Sequence, residues 1–141
     1  MIIITSGGFD PLHTGHLNML EAAYRLSDWT VALVNSDEWL IRKKGKVFMP
    51  LSDRIRMVLA LRVVTEAYPA ADEDGTVISS LAFLRKRYPN VKMMFANGGD
   101  RITGNTPEEQ WCQANNVDCR FGVGGGKTQA SSELLRKYSE K

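Results

Sequence analysis

Histidine is almost missing from this chain: there are two in 141 residues, and they stand three positions apart. Cysteine is as scarce, with only Cys112 and Cys119. Two thiols in no ligand spacing cannot build a disulfide framework or a closed zinc site. They suit a reducing compartment, and a cytoplasmic location is the expectation. No apolar run approaches the roughly 20 residues that cross a bilayer. The amino terminus enters a strand at once, with no charged segment ahead of a signal-like apolar stretch, so no membrane partner is expected. Neither sign of charge dominates: 18 Lys and Arg face 16 Asp and Glu, for a net charge of +2. That balance excludes the broad basic field of a nucleic-acid binder. Internal repeats, linkers and low-complexity tracts are absent too. Residues 1–141 read as one domain, large enough to bury a core.

What is present is concentrated near the start. Residues 1–5 are a short β-branched run, followed by Gly7-Gly8-Phe9-Asp10-Pro11-Leu12-His13-Thr14-Gly15-His16, and then by a good helix former from Leu17. Strand, glycine-rich turn and helix in that order form the context in which glycines mean phosphate binding. The helix should start near Thr14 or Gly15, with Thr14 as its cap. The N–H groups of its first turn have no helical partner and point at whatever sits above. Gly7, Gly8 and Gly15 would bare the backbone to a ligand. His13 and His16, at helical spacing, bring both rings to one side of one turn. Two imidazoles there can donate N–H bonds to a polyphosphate and follow its charge as it shifts. The competing readings are two surface histidines or half a metal site, and the latter lacks further ligands nearby.

These residues resemble the signature of the HxGH nucleotidyltransferases, and the likeness runs nearly end to end. Within that superfamily the chain is most similar to the cytidylyltransferase-like branch, which includes glycerol-3-phosphate cytidylyltransferase and heptose-phosphate adenylyltransferase domains. The resemblance implies catalytic roles for His13, His16 and one lysine of Arg42-Lys43-Lys44-Gly45-Lys46, with Lys44 favoured over Lys43 and Lys46. It implies nucleotide contacts from Gly7, Gly8, Phe9, Gly15, Gly99, Asp100, Lys127, Thr128, Ser131 and Ser132. It implies substrate contacts from Asp10, Asp37, Arg54 and Arg101, although Arg101 and Lys127 replace an aromatic residue and an arginine common in relatives; a salt bridge or a capping role is the competing reading of Arg54.

Further strands are expected at residues 29–34, 63–66, 91–96 and 118–122, alternating with helices. Residues 39–50 read as a basic loop. A helix should follow, capped by Ser52 or Asp53 and burying Met57, Val58, Leu59 and Leu61. Another, capped within residues 72–76, should bury Val77, Leu81 and Leu84. Thr106-Pro107 marks a further helix start. Glycines 124–126 lead to Ser131 and Ser132 at the last helix, a second place for an anion. Five strands alternating with helices imply an α/β fold, a doubly wound five-stranded parallel sheet of Rossmann-like nucleotidyltransferase type.

The reaction this implies is attack by a small phosphorylated acceptor, such as glycerol 3-phosphate, on the α-phosphorus of a nucleoside triphosphate. Pyrophosphate leaves. An acceptor phosphate is already anionic near neutral pH, so no general base is needed. CTP is the favoured donor, with Mg²⁺ carried on the triphosphate and no metal cage in the protein. ATP with a sugar phosphate is the alternative, and a non-catalytic nucleotide-binding module is a third reading. A homodimer stays open.

Overall fold

The computed structural model describes residues 1–98 and 106–123. In chain order the elements are β1 (Ile2–Gly7), α1 (Thr14–Leu26), β2 (Thr30–Val34), α2 (Asp37–Lys44), α3 (Leu51–Leu59), β3 (Glu66–Pro69), α4 (Ile78–Arg87), β4 (Met93–Gly98), α5 (Pro107–Ala114) and β5 (Asp118–Val123). The strands form one parallel sheet in the order β3-β2-β1-β4-β5. The expected doubly wound α/β architecture is therefore present.

Side chains alternate across a strand, so consecutive isoleucines of β1 must serve opposite faces. Ile2 and Ile4 join Val31, Leu33, Met93 and Phe95 of neighbouring strands with Leu81 and Leu84 of α4 and Cys112 of α5. Ile3 joins Ala32 and Val34 with Met19, Leu20 and Ala23 of α1 and Val58 of α3. Two helical layers thus cover the two faces, and a strand buried on both must be apolar throughout. All three isoleucines are fully buried, each contributing about 1.5–3 kcal/mol. The sheet order reverses at β1, between β2 and β4, and the crevice outside that point is where open α/β sheets take ligands.

Several local expectations need correction. The first half of the run read as a basic loop is helix: Ser36 Oγ accepts from Trp39 N–H at 3.0 Å, and Gly45 ends α2 in the left-handed region at φ 86°. Acidic residues in its first turn and basic ones in its last complement the helix dipole. α3 starts at Leu51 with Pro50 at its cap position and no side-chain cap. Of its expected stripe only Val58 is buried, while Met57 and Leu59 are nearly half exposed. Residues that close in sequence fan around a helix and cannot share one face. β3 begins at Glu66, later than the expected residues 63–66, because Val64 N–H closes a turn on Leu61 C=O at 3.2 Å. α4 starts only at Ile78, and Val77 gives it no side-chain cap. Val77, Leu81 and Leu84 are buried as expected. Thr106 caps α5 by accepting from Glu109 N–H, with Pro107 opening the helix.

Candidate functional site

The first cap differs from expectation: His13, not Thr14, is the N-cap of α1. His13 Nδ1 accepts from Gly15 N–H at 3.0 Å, and His16 Nδ1 accepts from His13 N–H at 3.2 Å. The two histidines thus perform reciprocally what Ser and Glu do in a capping box. A backbone N–H can only donate, so both Nδ1 atoms must be unprotonated acceptors, and each neutral ring carries its proton on Nε2. The rings stack with centroids 3.9 Å apart, and His16 also meets Phe9 at 4.8 Å. Burial first, then repulsion from His13 once that ring is protonated and from Lys44, push the His16 pKa down to about 3. His16 is therefore a neutral Nε2–H donor at ordinary pH in the ligand-free protein.

The turn before α1 is shaped by packing. A β-carbon on Gly8 would lie 2.9 Å from Leu40 Cδ2, and one on Gly7 would lie 3.3 Å from the Phe9 ring. Protein side chains occupy the space that these glycines leave open. Phe9 holds φ 52° with its ring 1 % exposed. That left-handed backbone costs on the order of 1 kcal/mol, and burial of the ring offsets it.

Three charged residues implied as substrate contacts are already bonded within the protein, and Arg54 makes the salt bridge that was its competing reading. Asp10, 4 % exposed, accepts from Phe48 N–H and Met49 N–H, both at 2.7 Å. Arg54 is wholly buried. Its Nε donates to Met49 C=O at 2.8 Å, its Nη1 to Gly8 C=O at 2.8 Å and Asn35 C=O at 2.7 Å, and its Nη2 to Asp37 at 2.6 Å. The Asp37 side chain remains 37 % exposed.

Lys44 lies exposed in the last turn of α2, and its charge bears on His16. Lys43 instead sits over the Trp39 ring at 4.7 Å. Gly99, Asp100, Arg101, Lys127, Thr128, Ser131 and Ser132 lie outside the described residues.

Sequence reasoning missed Asp72, which it read as part of a helix cap. The buried carboxylate accepts from Asn35 Nδ2 at 3.1 Å, Ser36 N–H at 2.9 Å and Ser36 Oγ at 2.6 Å. It fixes the chain where β2 leaves the sheet. Its place in an acidic run gave no signal of that contact.

A parallel sheet whose order reverses at β1, with the His13–His16 pair opening the helix that follows β1, belongs to the α/β class that takes ligands at its switch point. The chain belongs to the cytidylyltransferase-like family, whose sequence model matches residues 4–119. It is 40% identical over 109 residues to the bifunctional protein HldE of Streptomyces coelicolor, covering 76% of this chain and 22% of that protein. It is 36% identical over 67 residues to glycerol-3-phosphate cytidylyltransferase of Bacillus subtilis, covering 48% of this chain and 52% of that enzyme. The chain therefore spans about a fifth of the first relative and half of the second. The crystal structure of a lipopolysaccharide core biosynthesis protein from Thermoplasma volcanium shares the fold, with TM-score 0.67 and 20% identity over 86% of this chain and 93% of that one. Homologues in this family are nucleotidyltransferases.

Proposed function

We propose that the chain transfers a nucleotidyl group from a nucleoside triphosphate to a small phosphorylated acceptor, releasing pyrophosphate. One observation carries the reading: the reciprocal cap that fixes His16 as a neutral Nε2–H donor beside a helix N-terminus. Such a donor is preorganised for charge that develops on phosphate oxygens, and it needs no proton transfer to act. The attacking phosphate oxygen forms the new bond to the α-phosphorus as the bond to pyrophosphate breaks. His13 and His16 hold the α- and β-phosphates, and Lys44 offsets the repulsion between donor and acceptor. Its electrostatic reach to His16 supports it over Lys43 and Lys46. Lys127, Thr128 and Ser131 take the β- and γ-phosphates, while Gly99 and Asp100 border the nucleotide. Mg²⁺ enters as part of the triphosphate substrate.

CTP with glycerol 3-phosphate is the first donor–acceptor pair to test. The HldE match favours the second reading, adenylyl transfer from ATP to a sugar phosphate, because it covers more of the chain than the cytidylyltransferase match does. Pyrophosphate release with each triphosphate against both acceptor classes separates the two, and His16→Ala should lower kcat about 100-fold with the productive pair. Triphosphate binding without any pyrophosphate would favour the non-catalytic module.

A further inference from the structure

The segment that carries Lys44 ends α2 on the surface: every residue from Ile41 to Lys46 is exposed, Gly45 has open space around it, and Arg42 Nη2 donates to Asp72 C=O at 2.9 Å. On the α2 side Leu40 is fully buried. On the far side the chain is gripped at two adjacent residues, chiefly Met49, whose N–H is held by Asp10 and whose C=O is held by Arg54. Asp10 adds Phe48 N–H, and Arg54 adds Gly8 C=O, Asn35 C=O and the Asp37 carboxylate.

We infer that Asp10 and Arg54 are positioning residues, a two-sided latch that sets the Lys44 segment against the histidine turn, in place of direct substrate contacts. Both carboxylate oxygens of Asp10 are already taken, and a phosphate would meet a repelling charge there. Arg54 is sealed from solvent and gives four hydrogen bonds to protein atoms. The latch joins the glycine turn, the end of β2, the start of α2 and the segment before α3. The latch itself stands on the bonds described; its effect on turnover rests on the proposed transfer reaction.

The test combines amide exchange with a double-mutant cycle. Asp10→Asn keeps one acceptor and sets an amide N–H against a backbone N–H. Phe48 and Met49 amides should then exchange about tenfold faster, with the β1 and β2 amides unchanged. kcat should fall while KM for the triphosphate stays nearly constant. In a Lys44→Ala background, Asp10→Asn should lower kcat no further, because the latch acts through that lysine. Additive losses, or unchanged exchange at Phe48 and Met49, would overturn the latch. Wild-type protein gives a reading that needs neither a folded variant nor turnover. Its Phe48 and Met49 amides should exchange more slowly than those of Lys46 and Val47, which bond to nothing among the described residues. Equal rates would overturn the proposal even where transfer is confirmed, and slow exchange would support it even where transfer is absent.

Discussion

Replacing His16 with glutamine separates the capping role of this residue from its ring chemistry. Glutamine at the third helical position can accept from the His13 N–H as the imidazole does, so at pH 7 the variant should lie within about 1 kcal/mol of wild type. The pH dependence should differ. The folded ring titrates at about 3, while the unfolded value is 6.5. As pH falls, the unfolded chain takes up this proton first. The contribution of neutral His16 is therefore complete above pH 6.5 and drains away down to about 3. Between pH 7 and pH 5 this one proton should cost wild type about 2 kcal/mol, a loss the glutamine variant escapes. Urea unfolding at pH 7, 6 and 5 measures it, and subtracting the two proteins cancels their common carboxylates. Stability curves that run parallel would refute the neutral, backbone-bonded ring and the donor role built on it.

Other substitutions probe the neighbouring contacts. Gly8→Ala forces a β-carbon toward Leu40 Cδ2 at 2.9 Å and should cost about 1–3 kcal/mol in urea unfolding; no loss would mean that Leu40 repacks freely. Arg54→Met strands three carbonyl oxygens and Asp37. It should cost about 3 kcal/mol, at the low end for a broken buried pair because Asp37 keeps solvent contact. Lys44→Ala should reduce kcat far more than Lys43→Ala or Lys46→Ala, and three equal, small effects would mark the run as a solvated face.

Fold and site were legible to different degrees, for physical reasons. The five strands could be read because a doubly covered sheet demands apolar runs such as Ile2-Ile3-Ile4 and residues 31–34. α2 was hidden because charge drew attention away from its stop and start signals, Ser36 and Gly45. β3 slipped because Val63 and Val64 favour strands in isolation, yet here they pack beside a turn. At the site, spacing alone placed His13 and His16 together. It could not show that they cap each other, since histidine is an uncommon cap residue. Nor could it show that Asp10, Arg54 and Asp72 direct most of their polar atoms to backbone and side-chain groups between 17 and 46 residues away in sequence. Such contacts leave no periodic trace.

The central claim is chemical, and pyrophosphate release tests it most directly. Wild-type protein and His16→Ala are each given CTP or ATP with a panel of phosphorylated acceptors, with triphosphate binding measured alongside. The account predicts one pyrophosphate per acceptor consumed with at least one pairing, and a rate about 100-fold lower in the variant. Triphosphate binding with no pyrophosphate from any pairing, or equal rates for the two proteins, would contradict it.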